Sequence, residues 1–302
     1  MYQKLGQHFL KNDSAIKKII AALDIQSGET IIEIGPGKGA LTFPLAEECI
    51  QKKCRLIAIE KDIQLACNLE SKIMSSSYPL CHSREGGNPE DAGSRIKCGM
   101  TDGGRENVKI ITGDVLEMLP KLVSKLKIVN PAPEQVRYGA SYKIVGNIPY
   151  YITGKLLRII SELKNKPSVS VLMVQKEVAE RICAATPKMN LLAAATQYWA
   201  DPEIILHLKA KEFDPPPEVD SAVIKLATRT LATSELETKN YYKLIHIIFK
   251  QPRKTLANNL KDGLGISRAE IEKILNSLNL PLNSRPQDIS IEQIIKLSQM
   301  NL

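Results

Sequence analysis

Five short runs of aliphatic and β-branched residues alternate with stretches whose apolar residues recur at helical spacing. The runs are Thr30–Ile34, Arg55–Ile59, Val108–Thr112, Tyr142–Val145 and Val169–Val174. Among the helical stretches, Ile16, Ile19, Ile20 and Leu23 share one face, as do Ile63, Ala66, Leu69 and Ile73, and Ile152, Leu156, Ile159 and Leu163; Leu41, Leu45 and Cys49 follow the same spacing. Strands that succeed one another through helices need crossovers, so they lie parallel. Runs rich in Ile, Val and Leu without polar alternation are covered on both faces. The order predicts a doubly wound α/β sheet. Leu191–Ala200 suits a helix by its alanines and a strand by Thr196, Tyr198 and Trp199, and its type stays open; Val219–Ala227 reads as a further strand.

After Thr230 the pattern changes to helices alone, expected at Tyr241–Lys250, Pro252–Lys261, Arg268–Leu278 and Ile289–Leu297. The chain is therefore expected to divide at residues 1–230 and 231–302, a sheet domain followed by a small helical one. Of a net charge of +8, residues 239–302 supply +5, from ten basic and five acidic side chains. An anionic partner for that end is the physical expectation. Two stretches interrupt the alternation. Ser75–Asn107 holds six of the 17 glycines and few large apolar residues, and reads as an inserted flexible loop; Val129–Ser141 reads as a smaller expansion. Each follows a helix and precedes a strand, which puts it at the edge away from the strands' carboxyl ends, where ligands of open α/β sheets bind.

The remaining classes narrow quickly. With 43% of residues apolar, packed cores are within reach, and no apolar run approaches the roughly 18 residues of a membrane span. Met1–Asp24 carries lysines and no apolar signal region, and the six cysteines form no Cys-x-x-Cys pair, so reduced thiols and a cytoplasmic location are expected. Cys81, His82 and Cys98 have irregular spacing and no fourth ligand, so no metal site is expected.

Candidate chemistry sits at successive strand ends. The first strand runs into Gly35-Pro36-Gly37-Lys38-Gly39-Ala40, a glycine-rich turn read as opening a helix, where a ligand can approach the backbone. A Walker phosphate loop is excluded, because no Gly-Lys-Ser/Thr closes the turn. Glu60 ends the second strand and can accept both hydroxyls of a ribose, which a nicotinamide cofactor and S-adenosylmethionine share. Asp114, after the third strand, suits either the exocyclic amine of an adenine or a helix cap. The fourth ends in Asn147-Ile148-Pro149-Tyr150. An amide oxygen and a neighbouring carbonyl, stiffened by proline, can accept both N–H groups of an exocyclic amine while the tyrosine stacks on its base. That arrangement serves methylation of a poorly nucleophilic nitrogen by positioning, without a titrating base, and has no use in hydride transfer.

With these motifs in this order, the chain resembles the ribosomal RNA adenine dimethyltransferase family, most of all its small-subunit branch. Gln7-His8-Phe9-Leu10 is similar to the family's amino-terminal cofactor motif, Gln175–Arg181 to its segment after the fifth strand, and Phe213–Ser221 to its proline-rich loop. The resemblance implies a Rossmann-like class I methyltransferase sheet with a carboxyl-terminal helical domain, S-adenosylmethionine as cofactor, and small-subunit (16S-type) ribosomal RNA as substrate. It implies cofactor contacts at His8, Leu10, Gly35, Gly37, Glu60, Asp114, Val115 and Asn147, and a base pocket of Asn147, Ile148, Pro149 and Tyr150 with Phe213 closing opposite the tyrosine. It also implies RNA contact at Lys250, Arg253 and Lys254, where Pro252 replaces a usual arginine and is expected at a first helical position. The implied activity is dimethylation of two adjacent adenosines at N6 during ribosome biogenesis, by a monomeric enzyme with no membrane partner. Alternatives are a large-subunit methyltransferase of the antibiotic-resistance type, an RNA-binding assembly factor without turnover, and, more distantly, a nicotinamide oxidoreductase.

Overall fold

The computed structural model describes residues 8–75, 107–126, 142–230 and 234–300. Five strands lie parallel: β2 (Thr30–Ile34), β3 (Arg55–Glu60), β4 (Val108–Thr112), β5 (Tyr142–Asn147) and β6 (Val169–Gln175). With β7 (Ala200–Leu208) and β9 (Ser221–Thr228) they form a seven-stranded sheet of order β4-β3-β2-β5-β6-β9-β7, in which β9 runs antiparallel to both its neighbours. A separate two-stranded ribbon joins β1 (Phe9–Leu10) to β8 (Phe213–Asp214). This is the doubly wound sheet expected.

The period of two within each strand sorts side chains onto two cores. Ile32, Ile34, Ile144, Leu172 and Val174 face one, which α4 (Val115–Lys125) and α5 (Thr153–Glu162) cover. Ile31, Val145, Val171 and Met173 face the other, under α1 (Asp13–Leu23) and α2 (Thr42–Gln51). Beside these run α3 (Ile63–Ser75) and α6 (Lys176–Ile182). Because β2, β3, β5 and β6 are buried on both sides, regular polar alternation is absent from them, and among their polar residues Glu33, Glu60, Lys143 and Ser170 are buried.

A third core joins α7 (Leu191–Gln197) to α8 (Glu235–Ile248), α9 (Leu256–Leu264), α10 (Arg268–Ser277) and α11 (Ile291–Ser298). At its centre the rings of Tyr198 and Tyr241 stack at 3.9 Å, and the Tyr241 hydroxyl donates to the Ala194 carbonyl at 2.8 Å. The helical end is thereby seated on the sheet end through an apolar, hydrogen-bonded contact.

Several expectations change. Leu191–Ala200 resolves into a helix to Gln197, capped by Asn190, with the unforeseen edge strand β7 beginning at Ala200. β7 tolerates Pro202 because an edge strand need not donate on its outer side. α8 starts at Glu235, not Tyr241, because Ser234 and Glu237 form a reciprocal cap. Pro252 lies outside any helix: Thr255 caps α9, which begins at Leu256, so Lys250, Arg253 and Lys254 occupy the preceding turn. The glycine-rich turn continues to Leu41, and α2 begins only at Thr42. The expansion at 129–141, and that at 75–107 apart from residues 75 and 107, lie outside the described residues, as do Cys81, His82 and Cys98. Among the described residues no helix is long and apolar enough to cross a membrane.

Candidate active site

The sheet's order reverses at β2, whose neighbours β3 and β5 lead away in opposite directions. Open α/β sheets bind ligands in the crevice at such a switch point, beyond the strands' carboxyl ends. Gly35 follows β2 and Asn147 ends β5, one on each side of that crevice. The strands close tightly beneath it. A Cβ on Gly146 would come within 2.5 Å of the Ile34 carbonyl oxygen, so that position admits only glycine.

Two adjoining cavities open here and share Gly35, Glu60 and Pro149. The first also reaches His8, Gly37, Asn147, Ile148 and Tyr150; the second reaches Asp114, Val115, Lys61, Tyr151 and Ile152.

Glu60 is the pivot. Its carboxylate is 4% exposed and accepts from the Gly37 N–H at 3.0 Å through Oε2 and from the Asp62 N–H at 2.9 Å through Oε1. No basic side chain pairs with it among the described residues. A carboxylate offers about four lone-pair sites, so two remain for hydroxyl donors. Gly37, at φ +56°, takes the left-handed conformation, and a Cβ there would come within 2.7 Å of the Phe9 ring. The Phe9 ring lies in turn 4.4 Å from the Lys38 ammonium.

Asp114 is the cap of α4: Oδ1 accepts from the Leu116 N–H at 2.9 Å, and Oδ2 pairs with Lys61 Nζ at 2.9 Å. The Lys61 hydrogen bond, ahead of the Leu116 N–H, holds this carboxyl below its ordinary range, and Lys61 is raised in return. Asn147 Nδ2 donates to the His8 carbonyl at 2.6 Å, which leaves the amide oxygen as its acceptor end. The Pro149 carbonyl already accepts from the Ile152 N–H at 3.0 Å, so the Ile148 carbonyl is the neighbouring acceptor. The Tyr150 hydroxyl lies 2.8 Å from Ser221 Oγ, and burial pushes its phenol up, against a smaller opposite effect of that hydrogen bond. It stays neutral at working pH.

Of the residues singled out in the sequence, His8, Gly35, Gly37, Glu60, Asn147, Ile148, Pro149 and Tyr150 line the first cavity and Asp114 and Val115 the second. Two do not reach a cavity wall. Leu10 is buried and pairs through its backbone with Phe213. Phe213 is 1% exposed and packs in the core with Leu10, Ile16 and Leu208. Lys250, Arg253 and Lys254 are exposed, with Lys254 3.3 Å from Asp262. Phe9, Lys61 and Tyr151 are wall residues that are not among those singled out, although each adjoins one of them, and Ile152 lies two residues past Tyr150.

A parallel sheet with a glycine turn after its first strand, a buried carboxylate after its second and both cavities at the switch point defines a class I methyltransferase, whose cofactor is S-adenosylmethionine. The family model described as ribosomal RNA adenine dimethylase matches residues 1–80 and 98–300, breaking only inside the longer expansion. A ribosomal RNA small subunit methyltransferase A of Dehalococcoides mccartyi is 34% identical over 97% of this chain and 86% of its own length. The protein of that name from Fusobacterium nucleatum is 33% identical over 98% and 95%. In fold, a dimethyladenosine transferase from Plasmodium falciparum superposes with a TM-score of 0.69 at 22% identity, covering 96% of each chain. The 23S rRNA methyltransferase ErmE superposes at 0.68 with 20% identity, covering 96% of this chain and 98% of its own. The chain belongs to the ribosomal RNA adenine dimethylase family.

Proposed function

We propose that this protein dimethylates N6 of two adjacent adenosines in small-subunit ribosomal RNA, acting as a cytoplasmic monomer on the small ribosomal particle. The observation that carries the reading is Asn147: its Nδ2 is tethered to His8, so its amide oxygen and the Ile148 carbonyl form a fixed pair of acceptors beside the cavity that Gly35 and Glu60 also line. S-adenosylmethionine supplies an electrophilic methyl group. Glu60 takes the ribose hydroxyls, Asp114 and Val115 meet the adenine, and the backbone of His8, Leu10, Gly35 and Gly37 borders the remainder. The two acceptors orient the target N6, and their hydrogen bonds strengthen as positive charge builds on it during N–C bond formation. The proton then leaves to solvent, since the neutral Tyr150 phenol offers no base.

Residues 1–230 carry this chemistry in our reading, and 231–302 hold the RNA, with Lys250, Arg253 and Lys254 contacting phosphates. The match to curated small-subunit relatives over nearly the whole chain supports that choice of substrate. The decisive experiment is transfer of methyl label to isolated small and large ribosomal subunits lacking their methylated adenines. Label in the small subunit is expected. Label in the large subunit alone would reassign the substrate, and cofactor binding without label in either would indicate an assembly factor.

Glu60→Gln tests the cofactor assignment. One amide end would face a backbone N–H with a donor of its own, at Gly37 or at Asp62. The dissociation constant for S-adenosylmethionine is expected to rise about 10- to 30-fold by calorimetry. An unchanged constant would remove Glu60 from the site.

A further inference from the structure

We propose that Ser221 is a positioning residue for the target base: its hydroxyl holds the Tyr150 ring in the orientation in which that ring stacks on the adenine. The inference rests on the methylation reading above and adds a residue behind the base pocket without changing the pocket's walls. The hydroxyls of Tyr150 and Ser221 lie 2.8 Å apart, and this is the one hydrogen bond of the Tyr150 side chain among the described residues. Tyr150 opens the short turn Tyr150–Ile152 after β5, which no side chain caps, and its partly exposed ring lines the first cavity with Asn147 and Pro149. Without the tether the ring would be held at Cβ alone. With it, both ends of the ring's long axis are fixed, which is what holding a flat base against a methyl donor requires.

Ser221 is placed to act as an anchor. It is the first residue of β9, 0% exposed, opposite Gln175 of β6 on one side and Leu208 of β7 on the other. The residue before it is held as well: the Asp220 carbonyl accepts from the Lys176 N–H at 3.0 Å, and its carboxylate accepts from Lys209 Nζ at 2.8 Å and from the Ala210 N–H at 3.2 Å. The next residue on the same face of β9, Val223, packs in the core under α1 and α2, so an apolar side chain would suit position 221. A buried hydroxyl there needs a partner, and Tyr150 supplies it. Because Ser221 also ends the proline-rich stretch Phe213–Ser221, that loop and the stacking ring are held in register by one hydrogen bond.

The test is a double-mutant cycle in the full chain, with unmethylated small ribosomal subunits as substrate and calorimetric binding of S-adenosylmethionine measured separately. Ser221→Ala is expected to lower kcat/KM for the particle about 3- to 10-fold, the span of one neutral hydrogen bond. Tyr150→Phe keeps the ring and removes the tether from its other end, and a similar loss is expected. The double variant is expected to be no worse than either single one, Ser221→Cys to fall between Ser221→Ala and the unaltered protein, and cofactor affinity to stay within about twofold throughout. Tyr150→Ala, which removes the ring, should lower kcat/KM about fivefold or more beyond Tyr150→Phe. Tyr150 is partly exposed, so its phenylalanine variant decides the matter even if Ser221→Ala does not fold. The inference is overturned if Tyr150→Phe matches the unaltered protein, or if the two losses multiply in the double variant, which would mean that Ser221 acts through the sheet and not through the ring. Should the unaltered protein bind cofactor and label no ribosomal particle, the methylation reading falls and this one with it.

Discussion

Replacing Asn147 by alanine is expected to lower turnover on ribosomal particles by about 10²- to 10³-fold while the affinity for S-adenosylmethionine changes by about threefold or less. The asymmetry follows from where the amide is anchored. Its nitrogen is taken by the His8 carbonyl, so the oxygen is the functional end, and the alanine variant loses an acceptor whose contribution grows only as charge develops on the nucleophile. The walls around the ribose and adenine, at Glu60, Asp114 and Val115, are untouched. Asn147→Asp separates the two roles of the side chain, since it keeps acceptor oxygens and loses the donor to His8. Partial recovery of turnover is expected there. Single-turnover methyl transfer with calorimetry on the same preparations checks this, and a loss of cofactor binding with unchanged turnover per bound complex would move Asn147 to the cofactor side.

Much of this site is legible in the sequence because strand ends carry it. β2, β3, β5 and β6 are buried on both faces, so their sequences are mostly aliphatic, and the polar residue that follows each run stands out. The edge strand β7 lacks that signature: Asp201, Glu203 and His207 are at or near the surface, and Asp201-Pro202 reads as a turn. The apolar spacing places α8 too late because Leu236 at its start is exposed and breaks the pattern, although the Ser234–Glu237 cap marks the true beginning. The burial of Phe213 escapes a sequence reading for a different reason. Its direction is set by pairing with Leu10, some 200 residues away, and the period of two in that ribbon turns Asp214 outward and Phe213 in. No local pattern encodes a register between such distant residues. The choice at Asp114, adenine contact or cap, also has a structural answer: it caps α4 while standing on the wall of the second cavity.

Glu33→Gln is expected to stabilise the protein increasingly as pH rises. Glu33 sits in the central strand β2, two residues before Gly35, and is 1% exposed. Burial is the main cause that pushes its carboxyl up to about 8; the adjacent Thr42 hydroxyl offsets part of this, and the Glu60 carboxylate adds to it. The Cys49 thiol, itself pushed up to about 12 chiefly by burial, lies near enough to feel the same charge. Neither Glu33 Oε2 nor Thr42 Oγ1 completes a hydrogen bond among the described residues, so an ionised carboxylate here would have little to solvate it. Between an unfolded value of 4.5 and a folded value of about 8, the folded chain holds a proton that the unfolded chain has released. Stability from this group is therefore greatest below the unfolded value, falls as pH rises through that window and levels off above it. Glutamine has nearly the same shape and no charge to bury. Relative to the unaltered protein, the variant should gain about 3–5 kcal/mol between pH 5 and pH 9, because each pH unit between the unfolded and folded values is worth about 1.36 kcal/mol. Urea unfolding of both proteins across that range checks it. Two stability curves that run parallel with pH would mean that Glu33 is ionised in the folded protein.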